Sequence, residues 1–427
     1  MDGQSIELKY GHGKVKLLLD KDFQYDILEP MSVEGLADPF NAVIESLEHP
    51  INGVSLSSFG KIKNVAIAVN DKTRPVPHHL ILPPLLKKLH QMGLQPQDIC
   101  FFIATGTHTP MPAEEFERVL DAEIVRTYPI VSHDCDNRDN LKYFGETGRG
   151  TPVWINKAYI ESDLKIVIGN IEPHHFMGFS GAAKSLSVGL AGRDTINKNH
   201  AMLTDPKAIM GLYEENPMRQ DVEEIARLVG LQYAVNVVLN ERKEITKVLC
   251  GSPVDVMKAG IEETKRTALI QVDEPYDLVI ASAGGAPKDI NLYQSQKAIT
   301  HAAAALRDGG AVLLAAQCPE GSGSASFENF VKDLHSIDDV FERFKADGFR
   351  IGPHKAFQIA KLASRVQIFM LSDIPSDLVK KCFIQPVNDL DQGMRLARQT
   401  INPLKRIAVM PRATNTIPNI STHSIDR

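Results

Sequence analysis

The sequence predicts two α/β domains with mainly parallel sheets and an active-site cleft between them. Three observations predict it. Short apolar runs bounded by turn residues recur at 65–69, 99–104, 164–169, 278–281, 311–316, 366–371 and 407–410. Most are continuously apolar rather than alternating, the pattern of strands buried on both faces of a parallel sheet. Helical patterns separate several of these runs, and strand–helix–strand alternation builds α/β units. At 427 residues the chain is also long for one domain.

Taken in order, the 65–69 run ends at Asn70 and is followed by Leu82, Leu85, Leu86, Leu89 and Met92 at helical spacing. Asp98 precedes the run at 99–104. The run at 164–169 opens onto a glycine-rich stretch. A helical segment over 256–265 then gives way to Asp273-Glu274-Pro275 before the 278–281 run. That punctuation places a boundary near 267–275, with a first domain at 1–270 and a second at 271–427. Gly321-Ser322-Gly323-Ser324 reads as a loop, and residues 414–427 as a polar tail or a strapping segment.

Composition narrows the function. The net charge is −6 and no long basic run stands out, which argues against nucleic acid as a partner. No apolar run approaches the roughly 18 residues of a membrane span. The start, Met1-Asp2-Gly3-Gln4, lacks the charged and apolar regions of a signal peptide. The five cysteines are dispersed with no C-x-x-C pair, so free thiols in a cytoplasmic setting are expected. His133-Asp134-Cys135 has metal-ligand residue types but no second ligand pair, and reads as a polar loop.

Four clusters carry chemistry. Asn70-Asp71-Lys72-Thr73-Arg74-Pro75 follows the first run; Asp71 can accept from a ribose hydroxyl or a backbone amide, and Arg74 offers a planar fork to carboxylate or phosphate. A helix cap and a surface arginine would explain the same residues. Ala104-Thr105-Gly106-Thr107-His108 follows the second run, a plausible phosphate cradle with an acid/base histidine beside it. The third cluster runs from Asn170 to His200 and holds His174, His175, Lys184 and His200 around a glycine-rich turn. Gly178 to Ser185 nearly fits a phosphate-binding P-loop, but Ala183 stands at its second glycine and the strand ends too early. Lys184, in a tight apolar turn, can have a lowered pKa and act as a nucleophile. In the fourth cluster Asp289 or Asn291 can cap a helix that sets Gln294 and Lys297 on one face, where they suit a small anion. A solvated helix face would look the same.

These clusters together resemble the nickel-pincer nucleotide-dependent lactate racemase family. The resemblance rests on Asp71-Lys72-Thr73-Arg74-Pro75, Ala104-Thr105-Gly106-Thr107-His108, Glu172-Pro173-His174, Gly178-Phe179-Ser180-Gly181-Ala182-Ala183-Lys184, Asn199-His200, Tyr293-Gln294 with Gln296-Lys297, and Cys318-Pro319-Glu320-Gly321. It implies a racemase or epimerase of a 2-hydroxy acid, lactate by default, working by reversible hydride transfer. The implied cofactor is a nickel-pincer nucleotide, Ni(II) pyridinium-3,5-bisthiocarboxylic acid mononucleotide. It would be attached covalently at Lys184, with His200 as a nickel ligand, and supplied by dedicated biosynthesis proteins. An S-C-S pincer plus one imidazole suits the tetragonal geometry of Ni(II). Asp71, Lys72, Thr73, Arg74, Thr105, Gly106 and Thr107 would hold the nucleotide. His108 and His174 would be the acid/base pair, and Arg74, Tyr293, Gln294 and Lys297 would bind substrate; residues 1–270 would be the cofactor-binding and catalytic domain and 271–427 the domain that closes over the substrate. The chain departs from the family pattern at Ala183 and at Ser187-Val188-Gly189, which bears on substrate identity more than on cofactor. His175 has no assigned role and is expected to face solvent. The competing readings are a metal-dependent hydrolase using His174, His175 and His200, a nucleotide-binding protein built on the near P-loop, and a family member that binds without catalysis.

Overall fold

The 65–69 run forms the strand Val65–Asn70, in the interior of a six-stranded sheet ordered 245–251, 233–239, 164–170, 65–70, 99–104, 130–132. All neighbours in it are parallel except the 233–239 and 245–251 pair. The computed structural model describes residues 4–19, 24–30, 32–350 and 352–420. The chain divides into two units, residues 32–267, and residues 1–31 together with 268–427.

In the 32–267 unit every residue of Leu164–Asn170 is buried, as a strand covered on both faces must be. The leucine pattern forms the helix His78–Gln91, with Leu82, Leu85, Leu86 and Leu89 in the core beside Ile67, Ile103 and Ile166. From Val65–Asn70 the chain builds outward through 99–104 and 130–132, then returns to add 164–170 on the other side. The connection therefore reverses between Val65–Asn70 and Leu164–Asn170, and open α/β sheets bind ligands at such a switch point, beyond the strands' C-terminal ends. Asn70 pairs with Ala104 and Gly169 with Asn236, so the first three clusters leave the sheet at this one edge. The strands Tyr233–Leu239 and Ile245–Gly251 were not evident as runs in the sequence, because Asn236, Thr246 and Lys247 interrupt them.

The other unit has a parallel sheet ordered 385–387, 367–371, 306–315, 276–282, 407–410, 25–27. It divides from the first unit between Thr267 and Ala268. The N-terminal residues differ from the expectation of a domain at 1–270. Tyr25–Ile27 pairs with Ile407–Met410 and so forms the edge of this sheet. The hairpin of Gln4–Tyr10 with Gly13–Leu19 sends Ile6, Leu8, Leu17 and Leu19 into the core with Leu278, Leu313 and Phe369. Partnering an open sheet edge and burying four apolar side chains outweigh proximity in sequence. Residues 417–420 strap back onto 269–272, while Met1–Gly3 and residues 421–427 lie outside the described residues. No helix among the described residues is long and apolar enough to cross a membrane.

Candidate active site

Asp71 follows the strand Val65–Asn70 and is buried. Its Oδ1 accepts from the Thr73 amide at 3.0 Å and the Thr73 hydroxyl at 2.7 Å. Its Oδ2 lies 2.6 Å from His108 Nδ1. Burial works to raise the Asp71 pKa, but the bonds from His108 and Thr73 outweigh it and hold the carboxyl below its usual range. A carboxylate only accepts, so His108 Nδ1 carries the hydrogen and the lone pair of the neutral ring is on Nε2. Asp71 thus orients a histidine in this structure, and it accepts from a backbone amide, one of the two donors the sequence allowed it.

The rest of the expected nucleotide cradle is largely committed within the protein. Lys72 pairs with Glu115. Thr105 is buried, its hydroxyl donates to His133 O at 2.6 Å, and its amide donates to Ile103 O at 3.1 Å. The Gly106 amide donates to Gly189 O at 2.9 Å, which ties the His108 turn to the segment after Lys184. An added Cβ on Gly189 would sit 2.6 Å from Ala104 Cβ, so this approach of two turns requires glycine. Arg74 remains exposed at the same edge. His133 is held by Ala191 O at 2.9 Å and the Asn156 side chain at 3.3 Å, both ring nitrogens engaged, and is not available as a ligand.

After Asn170 the chain makes a small hairpin, Pro173–His174 against Gly178–Phe179, and only then the short helix Ala183–Ser187. This hairpin removes the near P-loop reading, which needs strand, loop and helix in direct succession. His174 is half-buried and its ring lies 4.6 Å from Phe176, which in turn lies 5.7 Å from His200. Burial, then the positive charges of Lys184, His175, Arg74 and His200, hold the His174 pKa well below its ordinary range. Met177 N donates to its Nδ1 at 3.3 Å. His175 is half-buried beside it rather than solvent-facing, with rings 6.4 Å apart. Among the described residues the only group of three or more His, Cys, Asp or Glu ligand atoms within 4.8 Å of one another is Asp134, Cys135 and Asp136. His174, His175 and His200 do not converge, which removes the geometric basis of a three-histidine hydrolase.

Lys184 is the second residue of the helix Ala183–Ser187, whose preceding residue Ala182 has φ +43, a conformation costly for any residue but glycine. Burial first, then the charges of Arg74 and Arg219, bring the Lys184 ammonium down to about 7, against an upward pull from Glu172. A free amine is therefore present at neutral pH. The turn is held from below by Arg219, which is fully buried, bonds the carbonyls of Phe179 at 3.1 Å and Gly181 at 3.2 Å, and pairs with Glu223. Sequence reasoning missed this pair, although an i,i+4 Arg–Glu spacing after the cap Asn216-Pro217 was there to be found. Asn236, fully buried, has neither amide atom bonded, and its Nδ2 is 3.0 Å from where a Cβ on Gly181 would stand.

His200 lies on the helix Arg193–Ala201, and its Nδ1 lies 2.9 Å from Ile196 O. A carbonyl cannot donate, so Nδ1 carries the hydrogen and the lone pair is on Nε2, the form in which imidazole binds a metal.

In the other unit Asn291, not Asp289, caps the helix Leu292–Ala304, accepting from the Gln294 amide at 3.0 Å. Asp289 is buried and accepts from the amides of Gly11 and Gln317. The Cys318 loop positions the helix start: Leu292 N donates to Gly321 O and Tyr293 N to Ser322 O, each at 3.0 Å. Gln294 and Lys297 are exposed on one face and Tyr293 is half-buried.

Two histidines, one with its tautomer fixed by a carboxylate, and a lysine whose pKa is lowered toward neutrality mark an enzyme of acid–base chemistry. Two family descriptions cover most of the chain, the lactate racemase N-terminal domain over residues 10–211 and the lactate racemase C-terminal domain over residues 272–417. The chain belongs to the lactate racemase family, and it is an isomerase, a racemase. It is 31% identical over 423 residues to a lactate racemase of Thermoanaerobacterium thermosaccharolyticum, covering 97% of this chain and 99% of that protein. It is 31% identical over 379 residues to a lactate racemase of Lactiplantibacillus plantarum, covering 86% of this chain and 88% of that one. The lactate racemase apoprotein structure from T. thermosaccharolyticum superposes with a TM-score of 0.86 at 30% identity, over 97% of this chain and all of that one. A Thermotoga maritima structure shares the fold, with a TM-score of 0.63 at 17% identity, over 91% of this chain and all of that one.

Proposed function

We propose that the chain racemises a 2-hydroxy acid, lactate by default, with a nickel-pincer nucleotide bound covalently at Lys184. The observation that carries this reading is the Lys184 amine, half-buried in a strained turn, whose lowered pKa leaves a large fraction of it uncharged at neutral pH. A neutral amine is what a covalent attachment through nitrogen needs. The residues present fit such a group: His200 offers Nε2 in the metal-binding tautomer, and the unbonded amide of Asn236 lies beside the Lys184 turn. When bound, the cofactor supplies a hydride acceptor at its pincer carbon, so that no carbanion is needed next to a carboxylate.

The protein's own residues then handle the proton. His108, with Nδ1–H on Asp71, takes the hydroxyl proton of one enantiomer at Nε2, and the Asp71 carboxylate compensates the charge that arrives. The 2-oxoacid that remains is planar, and a turn presents its other face. His174 serves the opposite enantiomer: protonated, it gives its proton to the substrate oxygen, and in the reverse direction, neutral, it takes that proton, while the anionic substrate offsets the Lys184 and Arg74 charges that, with burial, hold its pKa down. Arg74 binds the substrate carboxylate or the nucleotide phosphate, and Tyr293, Gln294 and Lys297 also bind the substrate. The same reading has dedicated proteins delivering the cofactor. It also puts the chain in the cytoplasm, in keeping with five unbridged cysteines.

Intact-protein mass spectrometry with nickel analysis, on protein co-expressed with a cofactor-making pathway, tests the proposal. An added mass mapping to Lys184, with nickel near one per chain, is expected. An unmodified Lys184 alongside a control racemase that the same pathway loads would overturn it.

A further inference from the structure

A second cation meets the helix that carries Tyr293, Gln294 and Lys297. Lys355, on the helix Pro353–Ala363, donates from Nζ to Gln296 Oε1 at 2.8 Å and lies 5.0 Å from the centroid of the Tyr293 ring. Gln296 is buried and is itself bonded to Thr300, so the oxygen that positions Lys355 is fixed. Gly352, directly before this helix, has φ +97, and a Cβ there would come within 2.0 Å of Ser326 Oγ. The start of the helix is thus set by backbone that only glycine allows.

The placement is electrostatically unfavourable without a ligand. Burial, then the charge of Lys297, lowers the Lys355 ammonium to about 8. Among the described residues no carboxylate pairs with Lys355; its partners are an amide oxygen and a ring face. Withdrawing an ammonium from water beside another ammonium costs free energy that an amide and a π-face only partly offset. A bound anion completes such a site. A hydroxy acid with one carboxylate presents one negative group, which Lys297 suits by itself.

We propose that the substrate is a 2-hydroxy acid with a second anionic group at the end remote from the hydroxyl-bearing carbon, and that Lys355 binds this second group. The proposal rests on the racemase reading above and narrows its substrate from lactate to dianions. The second group is a carboxylate or a phosphate ester, and malate, 2-hydroxyglutarate and 3-phosphoglycerate separate the two.

Two measurements test it. In the cofactor-loaded protein, kcat/KM for the best dianion should exceed that for lactate by at least about 10-fold, and Lys355→Met should lower that ratio by a similar factor. In the unloaded full chain, the same dianion should raise the thermal midpoint more than lactate does, and Lys355→Met should abolish the difference while circular dichroism stays native. Lys355→Gln is the second variant if the methionine chain does not fold. A wild-type preference for lactate overturns the proposal and leaves the racemase reading standing, and equal loss on lactate and dianion also overturns it. A loaded chain that racemises no 2-hydroxy acid overturns the racemase reading instead, and the binding of dianions by the unloaded chain then still decides whether Lys355 forms an anion site.

Discussion

Asp71 and Lys184 show how single residues acquire function from what surrounds them. Asp71 is a carboxylate with three hydrogen bonds, two from Thr73 and one from His108, and the last of these fixes a ring tautomer. Asp71→Asn keeps the shape and removes the charge, so both tautomers of His108 become accessible. It should lower kcat of the loaded enzyme by roughly 10²-fold, the lower end of what general acid–base catalysis contributes, with KM changed less; chiral chromatography of the product checks this. Lys184 makes stability depend on pH. Its folded value, about 7, lies below the ordinary 10.5, so between those two pH values the unfolded chain binds more protons than the folded one. Stability from this group therefore rises with pH across that window, and the penalty is complete below it. Lys184→Met should raise the unfolding midpoint of the unloaded protein near pH 6 and change it little above about pH 10.5, as calorimetry at the two pH values would reveal.

Among the elements, the helix Pro217–Leu228 does more than cover the sheet. It inserts Arg219 beneath the glycine-rich turn, where the guanidinium bonds the Phe179 and Gly181 carbonyls and pairs with Glu223. Removing one partner of a buried pair leaves the other charge uncompensated. Arg219→Ala should destabilise the protein by about 3–5 kcal/mol in urea unfolding, whereas the double replacement Arg219→Met with Glu223→Leu should recover much of that loss. The double variant should still load cofactor poorly, because the turn carbonyls lose their donor. What was legible at this scale follows from locality. The strands 65–70, 99–104 and 164–170 and the helix His78–Gln91 declared themselves through apolar spacing, and cluster positions followed from strand ends. The hairpin at 173–179 did not, since two-residue strands carry no period to detect.

The whole molecule folds its N-terminal residues into the C-terminal unit. Ile6, Leu8, Leu17 and Leu19 belong to the core around Leu278 and Phe369, and Tyr25–Ile27 completes the sheet edge. A fragment of residues 268–427 should therefore fail to fold cooperatively. The same fragment with residues 1–31 joined through a flexible linker should regain a sigmoidal thermal transition. A stable 268–427 fragment would show that the hairpin is dispensable to that core. Sequence alone determined the α/β class, the parallel sheets and the clusters beyond their strands, because hydrophobic periodicity and turn chemistry act between near neighbours in the chain. It also supplied the family, through motifs whose residues lie close together. Only the tertiary structure decided that Asp71 answers to His108, that Arg219 holds the Lys184 turn, and that Lys355 stands at Tyr293. Hydrogen-bond partners and local dielectric depend on which distant segments pack together, and the low polarity of that packing is what moves a lysine to about 7 and keeps a histidine neutral.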